Sequence, residues 1–200
     1  MTTTTPTASL TREYEGSVIP TPGIYDIDAK HTSVEFVARH LMISKVRGRF
    51  DDVEGTITVA DVPENSSVNV KIGAASVRTG EDQRDAHLRS GDFFDTDTHP
   101  HLTFTSTSVA KAGDQWKVTG DLTISGVTKP VVLDVDFDGA NTTPWSTTAV
   151  GFSASTEIDR EQWGLTYNQV LETGGVMVGK KIRIELNVEA VARAEADASA

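Results

Sequence analysis

Residues Val131 to Gly139 read VVLDVDFDG. Val131, Leu133, Val135 and Phe137 fall on one face of an extended chain, and Val132, Asp134, Asp136 and Asp138 on the other. Alternation with a period of two means one dry face and one wet face, the habit of an antiparallel sheet. The stretch KIRIELNVEAV (Lys181 to Val191) repeats the pattern. Ile182, Ile184, Leu186 and Val188 point one way, and Arg183, Glu185, Asn187 and Glu189 the other. Six more runs read alike: SVEFVARH from Ser33, GTITVA from Gly55, SVNVKIGA from Ser67, HLTFTS from His101, WKVTGDLTIS from Trp116 and VGFSASTEI from Val150. Turn signals at Ala112–Asp114, Ser125–Gly126 and Asp138–Asn141 separate some of them. An all-β chain of about eight long strands is therefore expected. Such strands must stack as two sheets or close into a barrel. Their inward residues, mostly Val, Ile, Leu and Ala with a few Phe, suit a filled core and a lined tunnel equally well.

One stretch breaks the alternation. EDQRDAHLRSGDFFD, from Glu81 to Asp95, favours two short helical turns, with Asp82 as the expected N-cap and Gly91 at the end of the first turn. Pro100 then restarts a strand at His101. A short helix inside a β-meander suits the cover of a barrel end. The stretch LETGGVMVGKK, with Gly174, Gly175 and Gly179, reads as a hairpin or bulge before the last strand.

Composition narrows the function. The chain is 38 % hydrophobic and 24 % charged, as an ordinary globular protein is. A net charge of −11 argues against a nucleic-acid partner and against an anionic membrane surface as the main partner. It leaves room for a small anionic ligand held by local basic groups. No cysteine is present, which removes thiol nucleophiles, disulfides and Cys-based metal sites. No window approaches a membrane-spanning length, so no stable membrane insertion is expected. Met1 to about Pro22 is rich in Thr, Pro and Ser and is expected to be disordered, residues 23–192 to form the barrel domain, and residues 193–200 to be a flexible tail. The start lacks the pattern of a signal peptide, so a cytoplasmic location is expected.

Several separated motifs, in order, closely resemble the YceI-like proteins. They are YDIDAKHTSVEFVARH from Tyr25, KVRGRFDDVEGTI from Lys45, SVRTGEDQRDAHLRSGDFFDTDTHPHLTFTST from Ser76, VTGDLTISGVTKPV from Val118 and GFSASTEIDREQWGL from Gly151. The resemblance spans about Gly23 to Val191. It implies an extended, lipocalin-like antiparallel β-barrel with a short helical segment near one end. It further implies a long amphiphilic lipid in the barrel: a polyisoprenoid, its phosphate or a prenyl quinone. Some members are dimers, and many are exported to the periplasm with a signal peptide.

The tail of such a lipid offers only apolar surface, so its expected contacts are inward strand residues: Phe36, Ala38, Val70, Ile72, Phe104, Leu122, Val135, Phe137, Phe152 and Ile184. Burial at about 25 cal/mol per Å² would reward such a tail, and the cost of ordering it would offset part of the gain. His40, Arg84 and His87 are the expected head-group contacts. Arg84 and His87 lie three apart on one helical face, which equally suits ion pairs that pin the helix. Asp85, Leu88, Phe93 and Phe94 are expected to be structural, holding the helix and sealing the barrel. His87, His99 and His101 suggest a metal site only weakly, because their spacing places two of them around a bend, and no metal or other cofactor is expected. No G-x-S-x-G elbow or positioned nucleophile–base pair is present, so the chain is read as a binding protein rather than an enzyme. The alternatives are an enzyme acting on a lipophilic substrate through Arg84, Asp85 and His87, and a filled barrel that acts through its surface.

Overall fold

The computed structural model describes residues 9–171 and 175–194. The strands are β1 (Thr11–Tyr14), β2 (Ser17–Pro20), β3 (Gly23–Ile27), β4 (Ser33–His40), β5 (Ser44–Phe50), β6 (Val53–Val59), β7 (Ser67–Gly73) and β8 (Val77–Arg78), then β9 (His101–Ala112), β10 (Gln115–Ile124), β11 (Val127–Thr142), β12 (Thr148–Asp159) and β13 (Val178–Ala192). Helix α1 (Asp82–Arg89) lies between β8 and β9. No helix among the described residues is long and apolar enough to cross a membrane.

All strands but β1 and β2 join one sheet, in the order β12-β11-β10-β9-β7-β6-β3-β13-β4-β5-β8. β12 also pairs with β13, and this contact closes the sheet on itself. Three pairs of short strands act as single bent ones. β3 and β4 line the same edge of β13, at Ala190–Ala192 and at Val178–Asn187. Their partners β6 and β5 are separated only by Asp51 and Asp52, and β7 and β8 follow on β6 and β5 in turn. The result is a closed antiparallel barrel of eight staves, as expected. Ser76 holds one bend, since its hydroxyl accepts the N–H groups of Asp51 (3.1 Å) and Asp52 (3.0 Å).

The sequence SKVRGRF hid a strand from pattern reading. In β5, Val46, Gly48 and Phe50 take the inward positions, and the central one has no side chain to mark it. The glycine is required by width. A Cβ on Gly48 would come within 2.2 Å of the Phe36 ring, which lies across it from β4. Gly120 plays the same part for Phe104, and a Cβ there would also come within 2.6 Å of the Thr105 carbonyl. Two phenylalanines thus lie flat over glycines on neighbouring strands.

Two expectations need correction. Within the N-terminal segment expected to be disordered, residues 11–20 form the β1–β2 hairpin. Its apolar residues are few but well used: Ile19 is buried, and Tyr14 packs on Trp116 with ring centroids 6.4 Å apart. Arg12 donates to Ala60 O (2.8 Å), and the Tyr14 hydroxyl to Glu64 (3.1 Å). At the other terminus, Arg193 was expected in the tail but pairs with Asp26, and its N–H donates to Ile24 O (2.8 Å). The expected disorder of residues 1–8 and 195–200 falls outside the described residues.

The helix starts differently from the reading as well. Its N-cap is Glu81, whose longer side chain accepts from Gln83 N–H (3.0 Å) and Arg84 N–H (2.7 Å), leaving Asp82 in the first turn. It ends at Ser90 rather than Gly91. The glycine-rich stretch before β13 carries an isolated Val170–Val176 bridge, and the β4–β13 register shifts between Val178 and Ile182. Gly174 lies outside the described residues.

The two ring-over-glycine contacts differ in how they can relax. Phe36 can swing into open space, whereas the Thr105 carbonyl is fixed in a ladder. We expect Gly120→Ala to cost about 1–3 kcal/mol in urea denaturation and Gly48→Ala clearly less, the scale typical of overpacking. Equal costs would contradict the assignment of a rigid neighbour to Gly120.

Candidate ligand-binding cavity

Closing eight staves with side chains of this size leaves the interior hollow. The cavity measures about 310 Å³, roughly twice the ~150 Å³ apolar cavity that suffices for benzene. All ten residues expected to meet a lipid tail line it: Phe36 and Ala38 from β4, Val70 and Ile72 from β7, Phe104 from β9, Leu122 from β10, Val135 and Phe137 from β11, Phe152 from β12 and Ile184 from β13. Their common face follows from the period of two. The barrel is therefore not the filled one of the alternative reading.

Both ends are covered. At one end Leu88 on α1 and the following Phe93 and Phe94 enter the wall, with Phe94 edge-on to Phe50 at 5.5 Å. The Ser125 hydroxyl ties this segment to the barrel by donating toward the Phe93 (3.3 Å) and Phe94 (3.1 Å) carbonyls. At the other end the wall includes Ile19 and Pro20 of the N-terminal hairpin, together with Pro63 and Trp116. These last were missed. Trp116 was legible, because it shares the inward face of Val118 and Leu122. The hairpin residues carried no alternating signal.

Helix α1 is held by one small network. The carboxylate of Asp85 is buried and accepts from the Thr79 N–H (2.8 Å) and hydroxyl (2.5 Å). Arg84 donates through Nε to the same hydroxyl (2.7 Å) and through a terminal nitrogen to Thr79 O (3.2 Å). Arg89 donates to Ala75 O (2.7 Å) and Val77 O (2.8 Å). His87 pairs with Asp92 (2.8 Å) and lies edge-on to Phe93 and Tyr167.

None of the three expected head-group residues lines the cavity. Arg84 is engaged with Thr79, His87 with Asp92, and His40 sits at the end of β4 opposite Ser44. The buried charge in the wall is instead Arg160. Its guanidinium donates to the carbonyls of Gly179 (3.1 Å), Val178 (3.5 Å) and Leu165. Burial lowers its pKa from the ordinary guanidinium value. Sequence reasoning passed over Arg160. The signal was present, since Phe152, Ala154 and Ile158 alternate inward and Arg160 is the next such position.

The three histidines of the weak metal reading do not assemble. His101 is exposed on β9, and the His99 ring packs against Gly126. Among the described residues, the side chains that gather are Asp28, His31 and Glu189, with candidate ligand atoms within 4.8 Å of one another. His31 bonds Asp28 at 2.8 Å and sits 3.7 Å from Glu189. The hydrogen bond to Asp28, then the charges of Asp28 and Glu189, raise the His31 pKa above 6.5. The bond to His31 lowers that of Asp28 below 3.8. This pair pins the bend between β3 and β4, where Asp28 N–H also donates to Glu189 O (2.9 Å).

A YceI-like domain model matches residues 25–190 of this chain. A UPF0312 protein of Staphylococcus aureus (strain USA300) is 40 % identical over 168 residues, which cover 82 % of this chain and 95 % of that protein. The crystal structure of a Campylobacter jejuni YceI protein superposes with a TM-score of 0.67 at 31 % identity, covering 78 % of this chain and 90 % of that one. BcnA of Burkholderia cenocepacia shares the fold at 23 % identity, with a TM-score of 0.72 over 84 % of this chain and 99 % of its own. A polyisoprenoid binding domain from Saccharophagus degradans does so at 18 % identity and a TM-score of 0.63, covering 86 % of this chain and all of that one.

Two outcomes follow for the supports of the site. Asp85→Ala leaves the part-buried Thr79 N–H without its acceptor and should cost about 1–2 kcal/mol in urea denaturation; an unchanged midpoint would show that the network does not hold α1. The His31 contribution has a pH signature. A raised histidine pKa stabilises fully below about 6.5 and is lost as pH rises through the folded value. A lowered aspartate pKa stabilises above about 3.8 and is lost as pH falls through its folded value. The stability gap between the wild type and His31→Asn should therefore be widest between these limits and close toward alkaline pH.

Proposed function

The chain belongs to the YceI-like family, and we propose that its barrel is a binding site for a long amphiphilic isoprenoid lipid, held for storage, sequestration or transport. The observation that carries this reading is the hollow interior: a cavity inside the barrel whose exposed wall is almost wholly apolar. A polyprenyl tail presents only apolar surface and needs such a wall, and its burial contributes about 25 cal/mol per Å² before ordering costs are subtracted. The polyisoprenoid binding domain named above is a structural neighbour, which fits this cargo class.

The candidate cargoes are a polyprenyl chain, its phosphate and a prenyl quinone. Their tails would lie along Phe36, Val70, Phe104, Val135, Phe152 and Ile184. Their polar ends would lie at the α1 end, where Arg160 brings a guanidinium to the wall and His40, Arg84 and His87 stand outside it. No chemistry on the ligand is required by this reading; affinity comes from displaced water and a preformed shape.

Trp163, buried in the turn that carries Arg160, supplies a reporter at that end, since a quinone ring quenches nearby indole emission. Titration with a prenyl quinone should quench it saturably. Ala154, flanked by Val135 and Leu186 on adjacent strands, offers the space for a block. Ala154→Phe should weaken binding about tenfold or more while unfolding remains cooperative, because it consumes cavity volume the tail would occupy. Binding unaffected by this substitution would remove the tail from the cavity.

A further inference from the structure

The turn joining β4 to β5 is built from the wrong residues for its shape. Ile43 N–H donates to His40 O (3.1 Å), so Leu41 and Met42 are the central pair, at φ 52° and 61°. Two positive φ values define the hairpin turn that normally takes Asn-Gly or Gly-Gly, because a Cβ makes the left-handed region costly. Leucine and methionine gain nothing locally from that conformation. Leu41 is half-buried, but Met42 is 54 % exposed and the following Ile43 81 % exposed, so burial compensates at most one of the two strained positions. Strain that local packing does not repay points to use.

The apolar tip has a neighbour. Leu41 N–H donates to Met177 O (2.8 Å), which joins it to the loop carrying Val170, itself 84 % exposed. The cavity lies directly behind. His40 pairs with Val178, and Val178 and Ala38 both line the wall. The charges nearby are distinctive in a chain of net charge −11. From Phe36 to Phe50 the chain carries Arg39, Lys45, Arg47 and Arg49 and no carboxylate. Arg47 pairs with Glu185 and Glu35, Arg49 with Asp51, and Lys180 and Lys181 with Glu161 and Glu157. Arg39 and Lys45 face each other across the hairpin. Among the described residues neither makes a contact ion pair, although Lys45 lies in the field of Glu185.

We propose that this tip docks the protein on the surface of a bilayer containing anionic lipid. Met42 and Ile43 enter the boundary of the acyl region, and Arg39 and Lys45 meet headgroup phosphates. Other carboxylates at this end, Asp82, Asp92, Asp95 and Asp97, belong to the α1 segment. That segment joins the barrel through β8 at Arg49–Phe50, the opposite end of β5 from the tip. Docking by a single turn with two free cations is shallow and reversible, which agrees with a chain that is acidic overall. It brings the cavity wall at Ala38 and Val178 next to the lipid and gives an apolar cargo a path that avoids water. That purpose rests on the carrier reading; the docking itself does not.

The test is co-sedimentation of the full chain with vesicles of phosphatidylcholine, alone or mixed with phosphatidylglycerol. The combined variant Leu41→Asn, Met42→Gly, Ile43→Thr keeps a turn of the favoured sequence and removes the apolar tip. It should lower partition to mixed vesicles about tenfold. Arg39→Gln with Lys45→Gln should abolish the preference for phosphatidylglycerol and the weakening by salt. A wild type that binds neither vesicle, or a tip variant that binds as well as wild type, overturns the inference. So does a wild-type dimer that the tip variant converts to monomer, which assigns the tip to a second copy of the chain. Quinone quenching of Trp163 separates this inference from the carrier reading. Quenching without vesicle binding defeats docking alone. Vesicle binding lost with the tip variant, but with no quenching in any form, upholds docking and defeats the carrier.

Discussion

The pairing of β12 with β13 is the contact on which the rest of the structure depends. It runs from Ala149–Val191 to Asp159–Lys181 and turns an open sheet into a closed one. Once closed, the sheet satisfies its own backbone groups and can enclose a space without unpaired edges. Its inward face is then fixed by parity. Every second residue of each stave points into the same enclosure, and those residues are Val, Ile, Leu and Phe. A dry interior is therefore a consequence of closure plus alternation, and its shape depends on a few local choices. Glycines at 48 and 120 let two rings lie flat against the wall, and segments at both ends contribute to its lining.

The covers are held differently. At the α1 end, polar groups do the work: Asp85, Thr79, Arg84 and Arg89 tie the helix to β8 and to the turn before it. At the other end the N-terminal hairpin leans on Trp116 and on the turn at Pro63–Asn65, using one buried isoleucine and a few hydrogen bonds to backbone. Helix residues that look like a reactive cluster in the sequence are thus spent on attachment. The buried Arg160 has a comparable task, since its guanidinium bridges the turn after β12 to the start of β13.

How much of this was legible follows the physics of each signal. Strand faces are written in the sequence with a period of two, so the ten inward positions from Phe36 to Ile184 could be named, and they share one cavity. Signals failed where a residue acts by absence or by distant partners. Gly48 concealed β5 because its role is to leave space. The hairpin at residues 11–20 sits in a segment whose composition is that of a linker, and distant contacts with Trp116, Ala60 and Glu64 order it. Arg84 and His87 looked available because sequence cannot show that Thr79 and Asp92 already occupy them. Leu41 and Met42 belong to no motif in the sequence. Their backbone conformation, which no alternation rule reports, sets them apart.

The central claim is that the hollow barrel holds a long isoprenoid lipid, and native mass spectrometry of freshly purified protein, followed by denaturation and lipid analysis, tests it most directly. The account predicts a bound mass that is released on denaturation and consists of prenyl units, with or without a polar head. A chain that carries no lipid as purified, and takes up none of the polyprenyl alcohols, polyprenyl phosphates or prenyl quinones offered to it, would contradict the account.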